Sequence, residues 1–264
     1  MSVKNLFGYI GRMFITFLQD LSSLTYLLFE TVAQTVALAL DRKRLRQARF
    51  LLHVDEAGTH SLALVIIVSS LLGVALTVLV SFQLKDLGGL NYVPGFVGVA
   101  VFREMGPLIT ALIVAGRVGA AMTARIGTMK VSEEILALET MAINPIRYLV
   151  VQRFLGLLLA LPALTMIANF TAVAGGFLYG TVRLGVSPDT YLRETIDVLT
   201  FTDVASGVVK AVVYAVLIVM IGCYRGLVVE GSAEDVGRST MVSVVWTTLA
   251  IIVFDTVLTT AFYG

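Results

Sequence analysis

Within the apolar stretch FREMGPLITALIVAGRVG, residues 102–119, three residues carry charge: Arg103, Glu104 and Arg117. Lys210 and Asp255 stand inside two other apolar runs, and Asn169 places an amide in a third. Three chemistries suit these residue types. Intramembrane carboxylates such as Glu104 and Asp255 serve as proton sites in coupled transporters. Opposite charges on neighbouring helices, for example Lys210 and Asp255, form salt bridges that hold a bundle together. A polar-lined chamber, finally, accepts the head group of an amphipathic ligand. Arg103 and Glu104 are adjacent, so on a helix they point about 100° apart and each needs a partner elsewhere. Pro107 removes the amide that would bond the carbonyl of Arg103, and with Gly106 it predicts a kink or break there.

Other chemistries lack their residues. The chain has no phosphate-binding G-x-x-x-x-G-K-[ST] loop, no H-E-x-x-H and no G-x-S-x-G, and its two histidines, His53 and His60, stand alone. The single Cys223 cannot form an intrachain disulfide. A formal net charge of +1 supplies no basic field for nucleic acid.

The elements that must position these residues follow from composition. The 264 residues are 58% hydrophobic and 14% charged, with a mean hydropathy of +0.91. A soluble domain has about 25% charged residues, so this is an all-α, polytopic membrane protein. Five windows reach the roughly 20 apolar residues that a transmembrane helix needs: 61–82, 105–124 with an apolar lead-in from 92, 152–180, 204–222 and 241–262. Connections 41–49, 125–153 and 223–240 hold eleven basic residues against three on the opposing loops. The positive-inside rule then puts the N-terminus in the cytoplasm and the C-terminus outside. Residues 1–49 form an N-terminal region of one or two interfacial helices, interrupted by Arg12, Asp20, Glu30 and Gln34, ahead of the transmembrane domain 50–264.

Depth can be counted at about 1.5 Å per helical residue. Asn169 and Asp255 lie about 21 to 24 Å above the inner boundary on that count. Lys210 and the Arg103–Glu104 pair also fall in the outer half. Lys210 and Asp255, similar in depth and opposite in charge on consecutive spans, are expected neighbours.

Two further patterns stand out. In VSEEILALETMAINPIRY, residues Val131, Ile135, Leu138 and Ala142 share one face of a short amphipathic helix over 132–143. Ser132 is its expected cap, Glu133 and Glu134 suit its N-terminal dipole, and Asn144-Pro145 its stop. It is either an inert interfacial loop or a docking helix for a soluble partner. In the second span, Ala111, Ala115, Gly119, Thr123 and Gly127 form one row of small residues. Gly116, Ala120, Ala124 and Thr128 form another, and both suit close helix packing. Arg117, Ala121 and Arg125 make a neighbouring stripe, with Arg125 snorkelling to the interface.

The segment FREMGPLITALIVAGRVGAAMTARIGTMKVSEEILALETMAINPIRYLVVQR resembles the core of the MlaE/YrbE permeases, and GSAEDVGRSTMVSVVWTTLAIIVFDTVLT resembles their C-terminal motif. Leu136 and Gln152 stand where that family frequently has Asp and Pro. The resemblance implies a homodimeric permease of the bacterial inner membrane, belonging to an ABC transporter that moves phospholipid between that membrane and the outer envelope. It implies as partners a cytoplasmic ATPase, a periplasmic MCE-domain protein and a STAS-domain protein. ATP would be bound by the ATPase, leaving this chain without cofactor, metal or catalytic residue. The resemblance places Arg103, Glu104, Lys210 and Asp255 around a lipid chamber; depth adds Asn169 to its expected lining, and the planar guanidinium of Arg103 suits it to phosphate. It makes Glu133, Glu134, Ile135, Leu138, Glu139, Met141 and Pro145 the ATPase-coupling segment. An ion- or proton-coupled secondary transporter using Glu104 and Asp255 is the alternative, though no internal repeat supports it.

Overall fold

The computed structural model describes residues 3–40, 50–86 and 88–264. The basic segment 41–49, on which the cytoplasmic assignment partly leans, lies outside them. Among the described residues all regular structure is helical: α1 Val3–Leu40, α2 Phe50–Lys85, α3 Leu90–Val131, α4 Glu134–Thr140, α5 Ile146–Arg183, α6 Pro188–Val198, α7 Phe201–Leu227 and α8 Ala233–Tyr263. Five of these, α2, α3, α5, α7 and α8, are long and apolar enough to cross a membrane. Each contains one expected window and overruns it, because polar residues such as Asp55 and Glu56 continue the helix beyond its apolar run.

The most extensive pairing is between α2 and α5. Lipid is as apolar as leucine, so helices in a membrane associate through close van der Waals contact at small residues. A Cβ on Gly73 would stand 1.8 Å from the Ala172 carbonyl oxygen, and one on Gly175 2.2 Å from that of Ser70. Only glycine permits these backbones to meet.

Helix α3 packs against α7 and α8 through one of its two small rows. Ala111, Ala115, Gly119, Thr123 and Gly127 are buried, whereas Gly116, Ala120, Ala124 and Thr128 are exposed or half-buried. Thr123 Oγ1 donates to the Gly222 carbonyl at 2.9 Å and sits 2.9 Å from Ser243 Oγ, tying the three helices together. The second row was expected to pack as well; with nothing within 4 Å of a Cβ at Gly116, that face is open in this chain.

The kink or break expected at Gly106-Pro107 takes another form. Helix α3 runs through it, with a π turn at Val101–Met105 in which the Gly106 amide donates to the Val101 carbonyl. One residue is added to the turn, and the bond that Pro107 cannot make is bypassed. Arg103 and Glu104 lie inside that turn.

Among the described residues the N-terminal region is one helix, Val3–Leu40, and the two carboxylates that interrupt its apolar run, Asp20 and Glu30, have partners. Tyr224 donates to Asp20 at 2.7 Å, Arg225 lies 3.5 Å from Asp20, and the Asn144 amide donates to Glu30 at 3.3 Å. Helix α6 was read as loop. Ser187 caps it by accepting from the Thr190 amide at 3.1 Å, with Pro188 at its first position. It anchors through buried Tyr191, whose ring meets Phe177 edge-on at 5.3 Å.

Candidate functional site

The π turn of α3 delivers Arg103 and Glu104 to two adjacent polar networks. In the first, Arg103 Nε donates to Asp203 on α7. The Tyr263 ring of α8 lies under the guanidinium, its centroid 4.4 Å from Cζ. Asp203 is fully buried while the Arg103 side chain is 37% exposed. Asp203 has a second task, closing the α7 N-terminus in a capping box by accepting from the Thr200 amide at 2.9 Å. Sequence reasoning passed over it because it stands in the first turn of a helix, where an acidic residue is expected as a cap.

In the second network Lys210, with 0% of its side chain exposed, lies between Glu104 and Asp255. Its Nζ bonds Glu104, is 3.0 Å from Asp255 Oδ1 and donates to Thr259 Oγ1 at 2.7 Å. Thr259 in turn donates to Glu104 Oε1 at 2.9 Å, and the Tyr214 hydroxyl donates to Asp255. The expected Lys210–Asp255 contact is therefore made. Its companion Glu104 was not anticipated as the second carboxylate, since nothing in the sequence sets which position along α7 each of the two adjacent charges meets. A buried ammonium must be compensated by close carboxylates and further hydrogen bonds, and this one has both.

The cluster holds Arg103 and Lys210 against Glu104, Asp203 and Asp255. This alters the expectation for Arg103: its Nε edge and one face of its guanidinium plane are satisfied within the protein, so any phosphate would meet only the terminal nitrogens. Asn169 also departs from expectation. It is 1% exposed, and its Oδ1 has no hydrogen-bond partner and presses on Gly106, where a Cβ would come within 1.7 Å. It supports the π turn from behind and bonds none of the charged residues through that oxygen.

Beside Arg103 opens a cavity of about 350 Å³ between α3 and α6, lined by Tyr92, Phe96, Val99 and Val198, with Arg103 and Glu194 as its charged members. A Cβ on Gly95 would meet Val198 Cγ2 at 2.9 Å, so the wall forms only because α6 can approach α3 there.

At the other end of the bundle the connection between α3 and α5 carries α4. The helix is shorter than the expected 132–143. Helix α3 continues through Val131, making Ser132 its C-cap rather than the N-cap of the next helix. Glu133 turns the chain in the left-handed region at φ 59°. The helix stops at Thr140, with Ala142 left-handed at φ 57°, before Asn144-Pro145 is reached. Pro145 leads into the π turn that begins α5. Ile135 is buried and Leu138 packs on the core, while Glu133, Glu134, Leu136, Glu139, Met141 and Ile143 are exposed. The exposed face thus mixes three carboxylates with three apolar side chains.

Five membrane-length helices among the described residues, with apolar surfaces outside and a charged cluster at one end, define a multi-pass membrane protein. The chain belongs to the family described as Permease MlaE, whose model matches residues 50–261. It is 36% identical over 202 residues to a probable ABC transporter permease protein of Rickettsia typhi, covering 76% of this chain and 78% of that one. It is 34% identical over 210 residues to a probable ABC transporter permease protein of Synechocystis, covering 80% of each. It is 27% identical over 263 residues, 99% of each chain, to the intermembrane phospholipid transport system permease protein MlaE of Haemophilus influenzae. The chain is accordingly a permease subunit of an ABC transporter.

Proposed function

We propose that this permease moves phospholipid across or out of a bacterial inner membrane, as a homodimer with its lipid path near the two-fold axis. Energy comes from a separate cytoplasmic ATPase, and lipid passes to or from a periplasmic MCE-domain protein, with a STAS-domain protein as a further subunit. The observation that carries the substrate class is the cavity beside Arg103. Its wall is Tyr92, Phe96, Val99 and Val198, and its charges are Arg103 and Glu194. A volume of about 350 Å³ falls within the usual range for ligand sites, and apolar wall with a charged member is the chemistry of an amphipathic ligand.

In this account Arg103, Glu104, Lys210 and Asp255 form the outward end of the path. The two networks join α3, α7 and α8, so they set how far those helices can part, and the exposed edge of Arg103 faces the head group. Asn169 keeps the π turn in place. The α4 segment, from Glu133 to Pro145, receives the motion of the ATPase at the cytoplasmic end.

The test is lipid content. Val99→Trp narrows the cavity while keeping every charged member of both networks, and phospholipid extracted from the purified full chain should fall at least about tenfold relative to the parent. An unchanged content at equal folded yield rejects the cavity as the lipid site.

A further inference from the structure

A second cavity, of about 120 Å³, lies at the opposite end of the bundle between α2, α3 and α5. It is lined by His53, Glu56, Arg117, Arg125 and Arg153 together with the apolar Ala57, Val118, Ala121 and Met122. Its charge has an excess of cations, whereas the networks around Lys210 and Arg103 hold one more carboxylate than cations. Arg125 is held 2.9 Å from Glu56, and Glu56 also lies 3.5 Å from His53. Arg117 donates to the neutral Ser61 hydroxyl at 2.7 Å. Arg153, only 5% exposed, donates to the Leu149 carbonyl of its own helix. Among the described residues no carboxylate lies within 4.0 Å of Arg117 or Arg153. Of the chain's stretches whose side chains are not described, only one carboxylate is present, Asp41, against seven lysines and arginines. Even if Asp41 reached this site, three guanidinium groups would face two carboxylates.

Arg153 is the buried member, and a buried, uncompensated guanidinium is costly unless an anion lies in hydrogen-bonding reach. Arg117 and Arg125 are exposed at the mouth of the cavity, where an anion can reach them from outside. Arg117 and Arg125 are two turns apart on one stripe of α3, so the positive charge extends about 12 Å along the helix from the bundle end toward the membrane centre. Planar guanidinium groups meet phosphate oxygens in pairs, and Ala57, Ala121 and Met122 offer an apolar wall next to them. We propose that this cavity binds a phosphate group, presented by a phospholipid head group from the adjacent leaflet or by free phosphate. The site is distinct from the cavity beside Arg103, and binding there requires neither ATP nor transport.

The experiment uses the full chain in dodecylmaltoside with phosphatidylglycerol bearing a photoreactive head group, and maps the label by peptide mass spectrometry. Label should appear on the peptides around Ala57 and Met122 and fall at least tenfold in Arg117→Gln/Arg125→Gln. Arg117→Lys/Arg125→Lys, which keeps the charge, should recover most of it, and this pair controls for misfolding in the first. In the parent protein, raising sodium chloride from 0.05 to 0.5 M should also reduce label, a readout independent of any substitution. If 20 mM inorganic phosphate does not displace the lipid, the head group is the ligand; if it does, free phosphate shares the site, and the anion site stands in both cases. Label equal in the glutamine variant, or equal labelling by a photoreactive diacylglycerol without phosphate, overturns the proposal.

Discussion

Arg103 and Asp203 stand one hundred residues apart in the chain and meet where the π turn of α3 crosses the start of α7. Asp203 is fully buried, so the pair fixes one helix end against the other and caps α7 in the same contact. Arg103→Gln leaves that carboxylate uncompensated, whereas Arg103→Gln with Asp203→Asn removes both charges. A thermal-unfolding cycle on the two single variants and the double should give a coupling of about 0.5–3 kcal/mol. Strict additivity would mean that the contact does not hold the helices.

Lys210 makes a stronger demand. Lys210→Met leaves Glu104 and Asp255 facing each other without a cation, which should cost about 3–5 kcal/mol in unfolding experiments in detergent. Adding Glu104→Gln and Asp255→Asn should recover most of that loss, because no isolated charge is then left. A triple variant as unstable as the single would contradict the compensated network.

Gly106→Ala drives a Cβ to 1.7 Å from Asn169 Oδ1. Overpacking of this kind typically costs about 1–3 kcal/mol. Asn169→Ala in the same chain should relieve it, as measured by melting temperature, and an absence of rescue would show that the π turn is not supported from α5.

On α4, Glu133→Lys with Glu139→Lys reverses two exposed charges, and Leu136→Ala with Met141→Ala trims the apolar part of the same surface. Each double variant should weaken recovery of the ATPase with the permease by at least about tenfold, or 1.4 kcal/mol. Ile135→Ala should instead lower stability, since that side chain is buried. Undiminished recovery in both surface variants would remove the docking role.

How far these features were legible in the sequence depends on their range. The five spans follow from apolar runs alone, and the Lys210–Asp255 contact follows from depth and charge on consecutive helices. The partner of Arg103 was not legible. Asp203 sits in a helix-start pattern that already explains it locally, and its long-range role appears only when α3 and α7 are packed. Helix α6 was missed because it is short and charged, although Ser187-Pro188 is a start signal. The α4 boundaries slipped because Ser132 reads as a cap whether it opens one helix or closes another. The distinction rests on the left-handed turn at Glu133, an uncommon conformation for a residue with a Cβ. Burial of Asn169 rather than exposure to the chamber depends on the facing Gly106, which depth counting does not register.

The central claim, ATP-driven movement of phospholipid through this permease, is tested most directly in proteoliposomes containing the permease, its ATPase and the periplasmic carrier. The measured quantity is transfer of a fluorescent phospholipid between membrane and carrier. Transfer should require ATP, and it should drop at least about tenfold with Val99→Trp while ATPase binding is retained. ATP hydrolysis that proceeds normally with no phospholipid movement in either direction would contradict it.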